Sequence, residues 1–161
     1  MIALSGCGVL STSGAGPPAV TDLRLVVPAA AVEEGLHPSG LSDDGALSPD
    51  RGQLVWYTGH DRVRPGDPGT AVVAGHVSYR GDPDVFASLR TVTVGDEVQL
   101  HDESSVTGWV VTDVDVVDKA DLRHDPRVWD DQDDVARLVL VTCDDELGFR
   151  PDGHRVANLV V

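Results

Sequence analysis

Short apolar runs separated by turn-forming residues dominate the hydrophobic pattern of the chain. The clearest runs are LRLVVP, QLVWYTG, GTAVVAGHV, RLVLVTC and RVANLVV. Gly, Pro, Asp and Ser cluster between them, as they do where strands end in turns. Runs of this length that are rich in valine favour β-structure over helix. The pattern therefore predicts a mainly β domain of about eight short strands.

The segments between these runs predict the connections of the sheet. VGDEVQLHDESSVTGWVVTDVDVV predicts a hairpin, in which Asp113 and Asp115 alternate with valines as in a half-exposed strand. DPDVFASLRTV places apolar residues at one-turn helical spacing, which predicts a short helix over the sheet. GLHPSGLSDDGALSPD is typical of loop and turn. Closure of the strands into a barrel would remove exposed sheet edges.

The length and the amino-terminal composition predict one folded domain behind a tether. A chain of 161 residues suits a single hydrophobic core. Residues 8–22 are rich in Gly, Ser, Thr and Pro, so we predict a tether over residues 1–22 and a domain over residues 23–161.

The amino terminus contains LSGC, ending at Cys7, which resembles the cleavage and lipidation motif of bacterial lipoproteins. Only six residues precede Cys7, without the basic and apolar regions of a signal peptide. Three interpretations stay open: a start site further upstream, the remnant of a signal or membrane anchor, and a chance match. Cys7 is accordingly a candidate lipidation site, and the sequence contains no complete transmembrane helix.

Composition and charge exclude one class of partner. The chain has 12 basic and 27 acidic residues, a formal net charge of −15, which would repel a phosphate backbone. Nucleic acid is therefore not an expected partner. Aromatic residues make up only 4% of the chain, so valine, leucine and alanine must build the core.

Three chemically capable residues stand where predicted strands begin or end. His76 follows TAVVAG, Cys143 follows RLVLVT, and Arg155 precedes VANLVV. Each alone has an ordinary interpretation as a surface or packing residue. Together they combine a thiol nucleophile, an imidazole that can move a proton and a cation that can stabilise an oxyanion. The second cysteine, Cys7, is distant in sequence, so Cys143 is interpreted as a free thiol.

The segments AVVAGH, LVLVTC and GHRVANLVV, in this order, resemble the sortases. PGDPGTAVVAGHVSYRGDPDVFASLRTVTVGDEVQL is most similar to actinobacterial class F sortases, with class E second. The resemblance spans about residues 23–161. It implies a closed eight-stranded β-barrel with short helices in the connections. It also implies a cysteine transpeptidase on the outer face of a Gram-positive membrane, held there by its amino terminus.

The resemblance also assigns roles to residues and partners. Such enzymes cleave a sorting signal of the Leu-Pro-any-Thr-Gly type after Thr, hold the acyl part as a thioester and pass it to an amine. Cys143 would be the nucleophile, His76 the general acid and Arg155 the group that steadies substrate and oxyanion, while Thr142 would shape the cleft. The implied partners are surface proteins with a carboxy-terminal sorting signal and an amine of a peptidoglycan precursor or pilin lysine. No cofactor is required.

Two features of the carboxy-terminal third work against this assignment. The acidic residues at 144–146 follow Cys143 directly, and negative charge there opposes a thiolate unless the side chains turn away. Arg150 is a second candidate for the role given to Arg155, which we prefer because His-Arg leads into a Val/Leu strand.

Other functions remain as alternatives. Cys143, His76 and His154 could form the site of a zinc-dependent hydrolase, although no two of them have the close spacing of zinc motifs. The aspartates within 113–118 do not fit an EF-hand loop, which leaves a weak calcium site or a solvated acidic face. From another class, the chain could be a non-catalytic acidic β-domain lipoprotein that acts as a binding or structural module.

Overall fold

The structure is a computed structural model, and it describes residues 22–43, 45–149, 151 and 155–161. Cys7 and the rest of the predicted tether up to residue 21 lie outside the described residues, as do Arg150 and His154. No helix in the described ranges has the length and apolar character needed to cross a membrane.

Strands are the main regular elements of the described chain, as the valine-rich runs predict. They are β1 (Arg24–Val27), β2 (Val32–Ser39), β3 (Leu54–Tyr57), β4 (Gly69–Gly75), β5 (Ser78–Tyr79), β6 (Asp82–Pro83), β7 (Glu97–His101), β8 (Val106–Val110), β9 (Asp115–Asp118), β10 (Ala136–Phe149) and β11 (Arg155–Val160). The helices are single turns: 3-10 turns at Pro28–Ala30 and Leu89–Thr91, α1 (Lys119–Leu122) and α2 (Pro126–Trp129). The prediction of a mainly β domain with short helices is confirmed.

One curled sheet contains nine strands in the order β8-β7-β1-β2-β3-β4-β10-β11-β9, and β5 and β6 form a separate two-stranded ladder. The predicted closed barrel of eight strands differs from this sheet in strand count. It also differs in closure, because β8 and β9 are the terminal strands of the order over the described residues.

The additional strand is β2, which lies in a region predicted partly as loop. The presence of Pro38 argues against a strand, because proline cannot donate to a ladder. The structure accommodates it because β2 changes partner along its length. Residues 32–35 pair with β1, whereas residues 36–39 pair with β3. Pro38 therefore has a strand on one side only, which is the environment of an edge strand.

The observed hairpin ends earlier in the sequence than the segment that was predicted to form it. β7 and β8 pair antiparallel from Glu97↔Val110 to His101↔Val106. The Asp-Val alternation then continues into β9, which pairs with β11 instead. Alternation predicts a half-exposed strand, but it does not identify the partner strand.

The core consists mainly of aliphatic side chains, with Phe86 and Leu89 fully buried among them. These two residues come from the segment predicted as a helix over the sheet, of which only Leu89–Thr91 is helical. Phe86 lies against Gly75 at the end of β4, and its backbone N–H donates to the carbonyl oxygen of His76 at 3.0 Å, so it helps to fix the backbone there.

Gly75, the last residue of β4, has no room for a side chain. A Cβ there would lie 2.4 Å from Leu54 Cδ2 and 2.7 Å from Phe86 Cδ2. We expect Gly75→Ala to lower the free energy of unfolding by about 1–3 kcal/mol, as overpacked cores do. Urea denaturation measures this. The matched control is Gly108→Ala, whose Cβ would meet only Glu97 Oε1, at 3.6 Å. An equal effect of the two substitutions would contradict the packing argument.

Candidate active site

The site forms where the parallel strands β4 and β10 separate. Their register runs from Gly69↔Ala136 to Ala74↔Val141. Cys143 and His76 each lie two residues beyond that last pair. Because the strands are parallel, both residues leave the ladder at the same end of the sheet. Strand pairing thus explains how residues far apart in sequence come to one region.

Thr142 links the two strands at this point. Its side chain is buried, and Oγ1 donates a hydrogen bond to the carbonyl oxygen of Gly75 at 2.8 Å. The bond joins the residue before Cys143 to the residue before His76. Thr142 therefore fixes the relative position of the two strand ends.

A cavity of about 200 Å³ opens beside the thiol. Its polar lining comes from Arg90, Thr142, Cys143, Asp144 and Arg155. Val77, the residue after His76, contributes to the apolar wall together with Phe86, Ala87 and Leu159. Three of the residues singled out by sequence therefore line one cavity, and the fourth, His76, adjoins its wall.

His76 is half-buried, and its ring orientation is fixed by two contacts. Nε2 lies 2.8 Å from the carbonyl oxygen of Pro49, and the ring packs 5.6 Å from the ring of Tyr79. A carbonyl oxygen can only accept a hydrogen bond, so Nε2 carries the hydrogen. Nδ1 is therefore the nitrogen that can take up and release a second proton.

Arg155, the first residue of β11, is held between two neighbours. Nη1 donates to Ser78 Oγ at 3.3 Å, and the guanidinium carbon lies 5.7 Å from the centre of the Phe149 ring. Phe149 is also its register partner on β10. These contacts keep a cation at the cavity that Cys143 lines.

Asp144 was expected to oppose a thiolate, but its charge is offset by an arginine. Its side chain is only 4% exposed. Arg90 Nη2 donates to Asp144 Oδ1 at 2.5 Å, and Nε donates to Oδ2 at 3.1 Å. This two-pronged ion pair compensates the negative charge closest in sequence to Cys143. The side chains of Asp145 and Glu146 lie outside the described part of the structure.

Two cations beside Cys143 were missed by sequence reasoning. Arg90 reaches the site from the 3-10 turn at Leu89–Thr91, and Lys119 Nζ lies 3.7 Å from Cys143 Sγ. Neither belongs to a motif, because each comes from a separate part of the chain. The one available signal was that Lys119 is the only lysine in the sequence.

Removing the arginine of the buried pair should destabilise the fold. Arg90→Met leaves the Asp144 carboxylate buried without that partner, which we expect to cost about 1–3 kcal/mol, because half-exposed Arg90 leaves some access for water. Adding Asp144→Asn should recover part of the loss, and a double-mutant cycle by urea denaturation measures it. Arg24→Met is the control, because its pair with Glu33 is exposed and should contribute less than about 1 kcal/mol. Equal losses for the two arginines would contradict a buried-pair effect.

Among the described residues, no three His, Cys, Asp or Glu side chains come together in a way that could hold a metal ion. The proposed zinc set includes His154, which lies outside those residues. Within the same part of the chain Cys143 is a free thiol.

A comparison with known families identifies the chain. The Sortase domain family matches residues 23–160, which include the cavity and all four residues predicted from sequence. The chain belongs to the sortase family. Sortases are cysteine transpeptidases, so a cysteine nucleophile and a peptide acyl transfer are the chemistry of this family. No curated protein matches the chain in a sequence comparison.

Solved sortase structures share the fold. Listeria monocytogenes sortase A is 22% identical with a TM-score of 0.62, over 88% of this chain and 83% of that chain. A Clostridium perfringens Sortase D5 transpeptidase is 16% identical with a TM-score of 0.62, over 89% of this chain and 78% of that chain. Streptococcus pneumoniae Sortase C is 19% identical with a TM-score of 0.63, over 89% of this chain and 67% of that chain. These neighbours include several sortase classes, so they establish the fold without selecting a class.

Proposed function

We propose that this sortase cleaves a sorting signal of the Leu-Pro-any-Thr-Gly type after Thr and transfers the acyl part to an amine. The observation that carries the proposal is the cavity at the end of the β4–β10 pair. Cys143 and Arg155 line this cavity, and His76 leaves the sheet at the same end. A nucleophile, a proton donor and an oxyanion stabiliser are the groups that acyl transfer requires.

In the first half-reaction the Cys143 thiolate attacks the carbonyl carbon of the substrate threonine. A carbon–sulfur bond forms, and the carbonyl π electrons move to oxygen, whose negative charge Arg155 stabilises. The oxyanion then collapses, the carbon–nitrogen bond breaks, and protonated His76 gives its Nδ1 proton to the departing amine. The products are a thioester on Cys143, a free glycine amine and a neutral imidazole.

In the second half-reaction an acceptor amine attacks the thioester carbonyl. His76, now neutral, takes the proton released by the amine, and the carbon–sulfur bond breaks to return the thiolate. A new amide replaces the amide that was cleaved, so the reaction needs neither a cofactor nor an external energy source. Water in place of the amine would give hydrolysis.

We assign the chain to class F, with class E second, on the resemblance of residues 65–100. The proposed donors are surface proteins that carry a carboxy-terminal sorting signal. The proposed acceptor is an amine of a peptidoglycan precursor or a pilin lysine. Sortases act outside the cytoplasm at the membrane. We place this one at the outer face of the membrane, attached through its amino-terminal segment with Cys7 as a candidate lipidation site.

The test is a panel of peptides with Leu-Pro-any-Thr-Gly and Leu-Ala-any-Thr-Gly signals, each incubated with and without an oligoglycine amine. Mass spectrometry should find cleavage after Thr in both conditions and the ligated product only with the amine. The proposal fails if no peptide of the panel is processed, or if wild type and Cys143→Ala process the panel equally.

A further inference from the structure

Lys119 contacts the reacting sulfur. Its Nζ lies 3.7 Å from Cys143 Sγ, within hydrogen-bonding range of a sulfur acceptor. In the described part of the chain, no carboxylate forms an ion pair with this ammonium. Lysine is ordinarily protonated throughout the neutral range, so the contact places a positive charge against the thiol.

The sheet brings the two residues together from distant parts of the chain. On β11, Ala157 pairs with Asp144 on one side and with Asp118 of β9 on the other. Lys119 follows Asp118 and Cys143 precedes Asp144, so the two residues are offset by two positions along β11, and the long lysine side chain spans this offset to reach the sulfur. Asp118 also caps α1, because its Oδ1 accepts a hydrogen bond from the backbone N–H of Ala120 at 2.7 Å. The cap fixes the turn on which Lys119 is the first residue.

Among the described residues, the other charged or titratable groups near the sulfur have partners of their own. The carboxylate of Asp144 on β10 pairs with Arg90, and that of Asp118 on β9 caps α1. Arg155 on β11 donates to Ser78. His76, after β4, donates to the Pro49 carbonyl. Lys119 is thus the cation that hydrogen-bonds to Cys143 itself.

We infer that Lys119 is a further catalytic residue, which holds Cys143 as a thiolate before substrate binds. The inference deepens the proposed function, in which Cys143 is the nucleophile. The acid role of His76 requires a protonated ring, while attack requires an ionised sulfur. A lysine charge beside the sulfur stabilises the thiolate without depending on the protonation state of the imidazole. The proton of the thiol passes to solvent, and His76 keeps its own proton for the leaving amine.

The test measures the rate at which iodoacetamide alkylates Cys143 between pH 5 and pH 9.5. All proteins carry Cys7→Ser, so that one thiol remains. The variants are Lys119→Met, which removes the charge at similar length, and Lys119→Arg, which keeps it. Arg123→Met is the matched control, because it removes a charge from the exposed end of the same helix. Thermal unfolding verifies that all four proteins are folded.

Lys119→Met should react about tenfold more slowly than the parent at pH 7, because a unit charge at this distance changes the ionised fraction by that order. The two rates should converge at pH 9.5, because a pH above the ordinary pKa of cysteine favours the thiolate even without a neighbouring cation. Lys119→Arg should retain most of the parent rate, and Arg123→Met all of it. The inference is wrong if the Lys119→Met profile overlays that of the parent, if it is slower by the same factor at every pH, or if Lys119→Arg is as slow as Lys119→Met.

Alkylation needs no peptide substrate, so this result is independent of the proposed function. A shifted alkylation profile in a protein that processes no sorting peptide would support the role of Lys119 and reject the transpeptidase proposal. Peptide processing by a protein whose alkylation profile is unshifted in Lys119→Met would support the transpeptidase proposal and reject the role of Lys119.

Discussion

Cys143→Ala should reduce kcat/KM for a sorting peptide at least about a thousandfold, because removing a covalent nucleophile abolishes the acyl-enzyme route. Among the described residues, the half-buried Cys143 makes one side-chain hydrogen bond, to Lys119, so the fold should survive the loss of the sulfur. The measurement is chromatographic quantification of the peptide cleaved after Thr.

The other cysteine supplies the matched control. Cys7→Ser should cleave the peptide at the wild-type rate, because residue 7 precedes the matched sortase domain. Cleavage by Cys143→Ala above about 1% of the wild-type rate would assign the reaction to another group.

His76→Ala should lower kcat by about 100- to 10,000-fold, the range that general acid–base catalysis contributes. The loss should fall on kcat more than on KM, because the proton moves in the transition state and not when the peptide binds. Steady-state kinetics with saturating acceptor amine separate the two constants.

His37→Ala is the control for this substitution. His37 is an exposed histidine on β2, and its replacement should leave both constants unchanged. A His76→Ala enzyme that loses affinity but keeps kcat would show that His76 binds substrate and does not transfer the proton.

The basic side chains around Cys143 resolve an apparent conflict in the sequence. The chain carries a formal charge of −15, and three acidic residues follow the nucleophile. Arg90 pairs with Asp144, Arg155 lines the cavity and Lys119 contacts the sulfur. Local pairing therefore sets the electrostatics of the site, and net charge does not describe it.

Sequence reasoning predicted the strands that lead to His76 and Cys143, because their valine-rich runs are continuous and end at polar residues. It did not show that β4 and β10 are parallel neighbours in register, since a buried run carries no information about its partner. Recognition of ordered family motifs supplied that adjacency. Strand β2 was mostly missed because Pro38 argues against a strand unless a change of partner is known.

Arg90 and Lys119 could not have been predicted from local pattern. Arg90 meets Asp144 across 54 positions of sequence, and Lys119 meets Cys143 across 24. Such contacts depend on which strands are neighbours in the sheet. They also depend on where along the sheet the short helices that carry Arg90 and Lys119 begin. Arg155 could be selected from the sequence because it lies immediately before a predicted strand.

The covalent intermediate is the most direct test of the central claim, that Cys143 carries the acyl group. Wild-type enzyme is mixed with a Leu-Pro-any-Thr-Gly peptide without acceptor amine, quenched in acid and measured by intact-protein mass spectrometry. The account predicts an added mass equal to the peptide through Thr, located on Cys143, released by hydroxylamine and absent from Cys143→Ala. Peptide cleavage by the wild type with no such adduct, and equal cleavage by Cys143→Ala, would contradict it.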